Sequence, residues 1–205
     1  MAVKAGTYRG MSAEERRADR RSRLLAAALE VWGRDGGPKV TMTRICAEAG
    51  LTERYFYESF DGLDAALVAV LDEIADEITL RTVAALASAQ GGPTERVRAS
   101  IGEFVRILTD DPRKGRVAIV ESVAHDAMRA RRAEVLREFA ELAAREAREL
   151  YGPEAWSESE GRMAATMFIG GVAELVTAWI EGVITATPDE LTAAATTHFT
   201  ATAHR

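Results

Sequence analysis

The sequence is poor in the residues that staple, break or flatten a chain. One cysteine, Cys46, in 205 residues excludes an internal disulfide and any cysteine-based zinc site. Proline is scarce, with 5 residues, while Ala, Leu, Glu and Arg are abundant, which favours helix over sheet. No alternating apolar–polar run of useful length is present, so strands are not expected. No apolar run approaches the roughly 20 residues needed to cross a bilayer. The opening Met1-Ala2-Val3-Lys4 leads on to Arg and Glu without an apolar core, so no secretory signal is expected either. A cytoplasmic protein with no membrane partner is the simplest reading. Histidine is limited to His125, His198 and His204. Glu121 and His125 stand at i and i+4 of an expected helix, but no second His or Cys is spaced to complete a metal site, and an ordinary surface pair is expected. Neither a nucleophile elbow nor a Gly-rich phosphate loop is visible, and Gly170-Gly171 lies inside a helical stretch. The expectation is no catalytic residue, no metal and no cofactor.

What is present is charge, unevenly placed. The whole chain carries a net −6, but residues 1–62 hold 11 Lys/Arg against 9 Asp/Glu, and the first 23 residues hold seven basic against three acidic side chains. A basic end on an acidic body can orient a protein toward phosphate.

The chain reads as nine or so helices without repeats: an all-α fold. Residues 1–11 carry no periodic pattern and read as an arm. Ser12 and Glu15 form a capping box, after which Leu25, Ala28, Leu29 and Trp32 fall on one helical face, ended by Arg34-Asp35-Gly36-Gly37-Pro38. Thr41 or Thr43 can cap a short helix carrying Ile45 and Cys46, with Gly50 in the left-handed turn position. Thr52 caps another short helix carrying Phe56 and Phe60. Longer helices follow at about 63–86, 94–109, 113–124, 127–150, 157–184 and 189–203. Cys46 reads as a small buried hydrophobe.

The stretch from Thr41 to Leu67 holds two short helices joined at Gly50-Leu51-Thr52, with a longer supporting helix before them. A helix-turn-helix works because its second helix is short and held by the first, so that it can protrude into the major groove. Leu25, Trp32, Ile45, Leu51, Phe56 and Phe60 form the small core expected to fix that angle. Thr52, Glu53, Arg54 and Tyr55 then face outward at the start of the second helix, where Arg can read guanine edges and the helix N-terminus attracts phosphate. Arg16, Arg17, Arg20, Arg21 and Arg23 are either a solvated face or backbone contacts to DNA.

Residues 24–67 resemble the DNA-binding domain of the tetracycline-repressor (TetR) family of bacterial regulators. The resemblance rests on Ala26-Ala27-Ala28-Leu29, on Thr41-Met42-Thr43-Arg44-Ile45-Cys46-Ala47-Glu48-Ala49-Gly50, and on Phe56-Tyr57-Glu58-Ser59-Phe60. It implies phosphate contacts from Tyr57, Thr43 and Thr52, groove-facing positions for Arg54 and Tyr55, and a DNA-facing set that also includes Thr41, Arg44, Glu53 and Ser59. The family's usual Lys after the second helix is Leu63 here, so that contact is missing or supplied elsewhere. Glu53 is acidic where phosphate repulsion is felt, unless it accepts from a cytosine amino group.

The organisation expected is therefore a helix-turn-helix domain at 1–62 and a helical ligand-binding and dimerisation domain at 63–205. Small residues in the 157–184 stretch interleave with Met167, Phe168, Leu175 and Trp179, and the final helix aligns Leu191, Ala195, His198 and Phe199. The family resemblance implies that these two helices form half of a bundle completed by a second copy; the expected interface is Gly171, Leu175, Trp179, Leu191, Ala195 and Phe199. A pocket is expected among the helices starting near Thr94, Ala127 and Ser157, lined by Phe104, Leu108, Val120, Phe139, Met163, Met167 and Phe168 and suited to a mainly apolar effector. The function implied is a repressor that binds a palindromic double-stranded operator as a homodimer and leaves it when a small molecule binds. The alternative is a helical small-molecule-binding protein or enzyme without specific DNA binding.

Overall fold

The computed structural model describes residues 12–36 and 39–204; the expected arm at 1–11 and the Gly37-Pro38 part of the first break lie outside them. Among the described residues the chain is helical throughout, with a single isolated bridge between Ala155 and His204. It divides into two compact units, Met1–Val70 and Leu71–Arg205.

The first unit, the head, holds α1 (Ala13–Asp35), α2 (Met42–Ala49), α3 (Glu53–Tyr57) and the opening turns of α4 (Leu63–Ser88). Each boundary has a local cause. Ser12 and Glu15 make the expected capping box, each accepting the other's backbone N–H. Thr41 Oγ1 accepts from the Arg44 N–H at the start of α2. Gly50 takes φ 61° and ψ 38° at its end, a left-handed geometry that costs most residues about 1 kcal/mol or more. Leu24, Leu25, Ala28, Val31 and Trp32 of α1 are buried, as are Ile45, Cys46, Phe56 and Phe60, so the core is the expected one with Leu24 and Val31 added and Leu51 only half-buried.

The second unit, the body, continues α4 and adds α5 (Pro93–Asp110), α6 (Pro112–Gly115), a π-helical turn (Arg116–Glu121), α7 (Ser122–Ala124), α8 (Asp126–Tyr151), a 3-10 turn (Gly152–Glu154), α9 (Glu158–Ile180) and α10 (Pro188–Thr202). The stretch expected as one helix at 113–124 is thus interrupted by a π turn, onto which the buried Ser122 hydroxyl at the start of α7 donates, to the Ala118 carbonyl at 2.6 Å. His125 does not share a helical face with Glu121. It sits in extended backbone before α8 (φ −103°, ψ 121°), and Glu121 pairs with Arg116 at 3.2 Å.

α9 stops at Ile180 rather than running to 184. Gly182 adopts φ 74° in the turn that follows, and the Trp179 indole N–H closes that turn on the Ala186 carbonyl at 2.9 Å. By length and composition α9 is the one helix among the described residues able to cross a membrane, although no long run of purely apolar residues announces it.

Ion pairs fix the outer side of α4 within the body. Glu77 accepts from Lys114 at 2.5 Å and from Arg81 at 2.9 Å, and Glu103 accepts from Arg81 at 2.6 Å and from Arg106. Burial pushes both carboxyls up, but the bonds from Lys114 and Arg81 to Glu77, and from Arg81 and Arg106 to Glu103, outweigh it and hold both below the ordinary value. A depressed folded-state pKa contributes stability above the unfolded value, near 4.3 for Glu, and loses it as pH falls through the folded one. The melting temperature is therefore expected to stay level down to about pH 5 and to fall below about pH 4.3, less steeply in a Lys114→Met variant. A scan over pH by circular dichroism checks this; equal slopes would remove Lys114 from the account.

Candidate functional site

In the head, α3 is five residues long, too short to persist alone, since isolated helices below about 12 residues are marginal in water. Packing and tethers hold it. Phe56 is fully buried, its ring 5.4 Å from that of Phe60. Arg17 and Arg21 of α1 donate to the Glu58 and Ser59 carbonyls at 3.0 and 3.1 Å, capping the carbonyls that a helix end leaves without partners. Arg23 donates likewise to the Ala49 carbonyl at the end of α2, at 2.7 Å. Arg20 pairs with Glu58 at 3.6 Å and lies over the Tyr55 ring at 4.5 Å.

The outward residues sort into free and engaged. Tyr57 is 60% exposed. The Arg54 side chain is 84% exposed, paired only one turn along with Glu58 at 3.0 Å, a contact worth a few tenths of a kcal/mol. Thr52 precedes α3 with no side-chain cap bond, leaving its hydroxyl available at the helix start. Thr41 is spent on capping α2. The Thr43 hydroxyl donates to Glu53 Oε1 at 3.2 Å, so Glu53 bridges the starts of α2 and α3 and sits well for the helix dipole. Arg44 is turned toward Asp35 (2.5 Å) and the Lys39 carbonyl (3.0 Å). Tyr55 is half-buried beneath Arg20, and the Ser59 hydroxyl donates to the Tyr55 carbonyl at 3.0 Å. Cys46 is buried; burial first, and Glu53's charge second, push its thiol up, away from the reactive thiolate.

The body holds a partly open cavity of about 180 Å³. Leu71, Ile74, Ile78 and Leu86 line it from α4, Ile101 and Phe104 from α5, Ala118 and Ile119 from the π turn, Val135 and Phe139 from α8, Phe168 and Val172 from α9, and Phe199 from α10. Thr82, Ser100, Arg132 and Glu146 are its polar lining. Of the residues expected there, Phe104, Phe139 and Phe168 line it. Leu108 is buried elsewhere, against the α6 side, where its carbonyl lies 3.3 Å from the position a Cβ on Gly115 would take. Val120 is half-buried in the π turn and outside the lining. Met163 and Met167 are 61% and 73% exposed: α9 turns Phe168, Ile169 and Val172 inward, which puts the methionines on its outer face.

The same geometry corrects the expected interface. Leu191, Ala195 and Phe199 are buried within their own unit, Ala195 and Phe199 in a cluster with Leu86, Val97 and Phe168, because α10 packs on α5. Leu175 and Trp179 are half-buried, and Gly171 is exposed.

No protein-family model matches the sequence, and no curated protein matches it. Solved structures do. The fatty acid degradation regulator FadR from Bacillus halodurans superposes with a TM-score of 0.77 at 18% identity, over 91% of this chain and 97% of that one. FadR from Bacillus subtilis, in complex with stearoyl-CoA, gives 0.74 at 19%, over 89% and 99%. A putative TetR-family regulator from Syntrophomonas wolfei gives 0.76 at 13%, over 90% and 95%. The chain has the TetR-family fold.

On the TetR fold, the tethers from α1 are what the sequence reading missed. Arg17 and Arg21 are spaced i, i+4, so they share a helix face, and a short helix nearby with unpaired carbonyls was the signal that could have found their target. The α4 and α10 walls of the cavity were missed as well. Their periodic apolar residues look the same whether they meet a neighbour or a void.

Proposed function

We propose that the chain is a ligand-responsive transcriptional repressor that binds a palindromic operator as a homodimer. The observation that carries this is the exposed start of α3, with Thr52, Arg54 and Tyr57 turned outward on a helix held rigid from behind. Arg54 is assigned to a base edge, and Thr52 and Tyr57 to phosphates. The engaged Thr43, Arg44, Glu53, Tyr55 and Ser59 shape the platform and reach DNA only by exchanging partners. The head at the N-terminal end is the DNA-binding domain, and the body binds the effector and the second copy.

Support for the dimer comes from α9. Its outer face carries Met163, Met167, Gly170 and Gly171, all exposed, and apart from their own turns of α9 no described atom comes within 4 Å of where a Cβ would stand on either glycine. Nothing within the described chain calls for glycine there, at about 1 kcal/mol each relative to Ala; close approach of a second α9 does. The effector is a small, mainly apolar molecule in the cavity, and the stearoyl chain of the acyl thioester held by the B. subtilis FadR structure is of the right kind. α4 runs unbroken from the head into the cavity wall, so a ligand that moves it alters the spacing of two heads. A near-complete switch takes a differential affinity of roughly 5.5 kcal/mol. The setting is the cytoplasm, and no catalysis is assigned.

Selection of bound sequences from a random duplex pool tests the reading. Two inverted half-sites about one turn apart are expected; recovery of unrelated sequences at moderate salt would refute specific recognition. Tyr57→Phe is expected to weaken binding by about 1 kcal/mol to every duplex alike, since a phosphate contact carries no base information. Mobility shift on the selected and a scrambled duplex measures it, and a sequence-dependent loss would place Tyr57 on a base.

A further inference from the structure

Arg131 and Arg132 are consecutive on α8 and meet opposite surroundings. Arg131 turns outward among three carboxylates: Asp72 at 2.6 Å, Glu138 at 2.8 Å and Glu134 at 3.2 Å. Arg132 lines the cavity, its Nε is closed off from water, and that nitrogen has no hydrogen-bond partner among the described residues. A buried N–H of a charged group left unmatched is costly, and an apolar side chain of similar size would remove the cost. Glu146 is the one carboxylate in the lining. It stands about four turns along α8, roughly 20 Å away at ~1.5 Å per residue, too far to serve as counter-ion.

The cavity also has direction. Arg131 reaches Asp72 on α4, so Arg132 stands level with Leu71, where α4 begins to line the cavity. At the other end of α4, Leu86 clusters with Ala147, Phe168 and Phe199, and Leu150 packs against them. One end carries the cation, and the other is mostly apolar with Glu146 at its edge. The distance between them, roughly 20 Å of helix, compares with the roughly 15 Å that one acyl leaflet spans in a bilayer core of about 30 Å.

We propose that the effector is a long-chain amphiphile with an anionic head: its chain lies along α4 and α8, and its carboxylate or phosphate pairs with the guanidinium of Arg132. A guanidinium presents two parallel N–H groups that match two oxygens of either anion. The proposal rests on the cavity being the effector site, and its own content is the head group and the residue that reads it.

The test is calorimetric titration of the full chain with three probes below their aggregation limits: hexadecanoate, hexadecyl phosphate and the uncharged methyl hexadecanoate. Wild type is expected to bind one or both anions at least tenfold tighter than the ester, and the stronger of the two names the head. Arg132→Gln is expected to remove most of that preference while leaving the ester's affinity unchanged, Arg132→Lys to keep part of it, and Arg131→Gln to keep all of it. Melting curves confirm that each variant folds. Ester binding as tight as the anions in wild type, or an anion preference that survives Arg132→Gln, would overturn the role of Arg132 and leave the cavity's role standing. Binding of none of the probes would sink both.

Discussion

Phe56→Ala should abolish operator binding. The ring is fully buried and packs against Phe60 and the edge of Tyr57, with centroids 5.4 and 5.9 Å apart. Truncating a buried Phe typically costs 3–5 kcal/mol. At roughly 0.05–0.15 kcal/mol per residue, a unit of Met1–Val70 has only about 3–10 kcal/mol in total. The loss falls on a helix of five residues with no stability of its own, so α3 leaves its seat even where α1 survives. Mobility shift against the selected operator should show no complex, and hydrogen exchange should rise across 42–60 while the amides of α8 and α10 stay protected. Binding within threefold of wild type would show that the arginine tethers alone can seat α3.

Val172→Phe should block the cavity to a long-chain ligand. Val172 lines the cavity from α9 and is half-buried, and a ring in its place projects into space that is empty of protein. Filling a cavity commonly adds about 0.5–2 kcal/mol of stability, so the melting temperature is expected to hold or rise. The long-chain probe, however, loses its path. We expect its affinity to fall at least a hundredfold, about 2.7 kcal/mol, with operator binding intact and no longer relieved by the ligand. Calorimetry and mobility shift with and without the probe measure the two effects. Unchanged affinity would place the ligand elsewhere in the body.

Much of the fold could be read from the sequence because its causes are local. A capping box at Ser12 and Glu15 and a left-handed glycine at 50 each act within a few residues, and the structure places them as expected, whereas Thr52 stands at the start of α3 without the expected side-chain cap bond. Tertiary choices were less legible. α9 is apolar on nearly every side, so periodicity cannot say whether Met163 and Met167 or Phe168 and Val172 turn inward. The stripe of Leu191, Ala195 and Phe199 is equally apolar whether it meets α5 or a second copy; α5 lies there. The π turn at 116–121 shifts register without any residue that announces it. In the head, outward positions followed from the position of Phe56 and Phe60. That Thr43 bonds Glu53 and Arg44 bonds Asp35 did not, because those pairs join separate helices.

The guanidinium groups of Arg17, Arg21 and Arg23 grip main-chain oxygens at positions 58, 59 and 49, and main-chain oxygens are common to every amino acid. The seat of α3 is thus indifferent to which side chains it displays. Residues at 52 and 54 can be exchanged for others without loosening the mount. A lineage of such proteins is therefore free to change what the tip of α3 displays by single substitutions, each intermediate remaining folded.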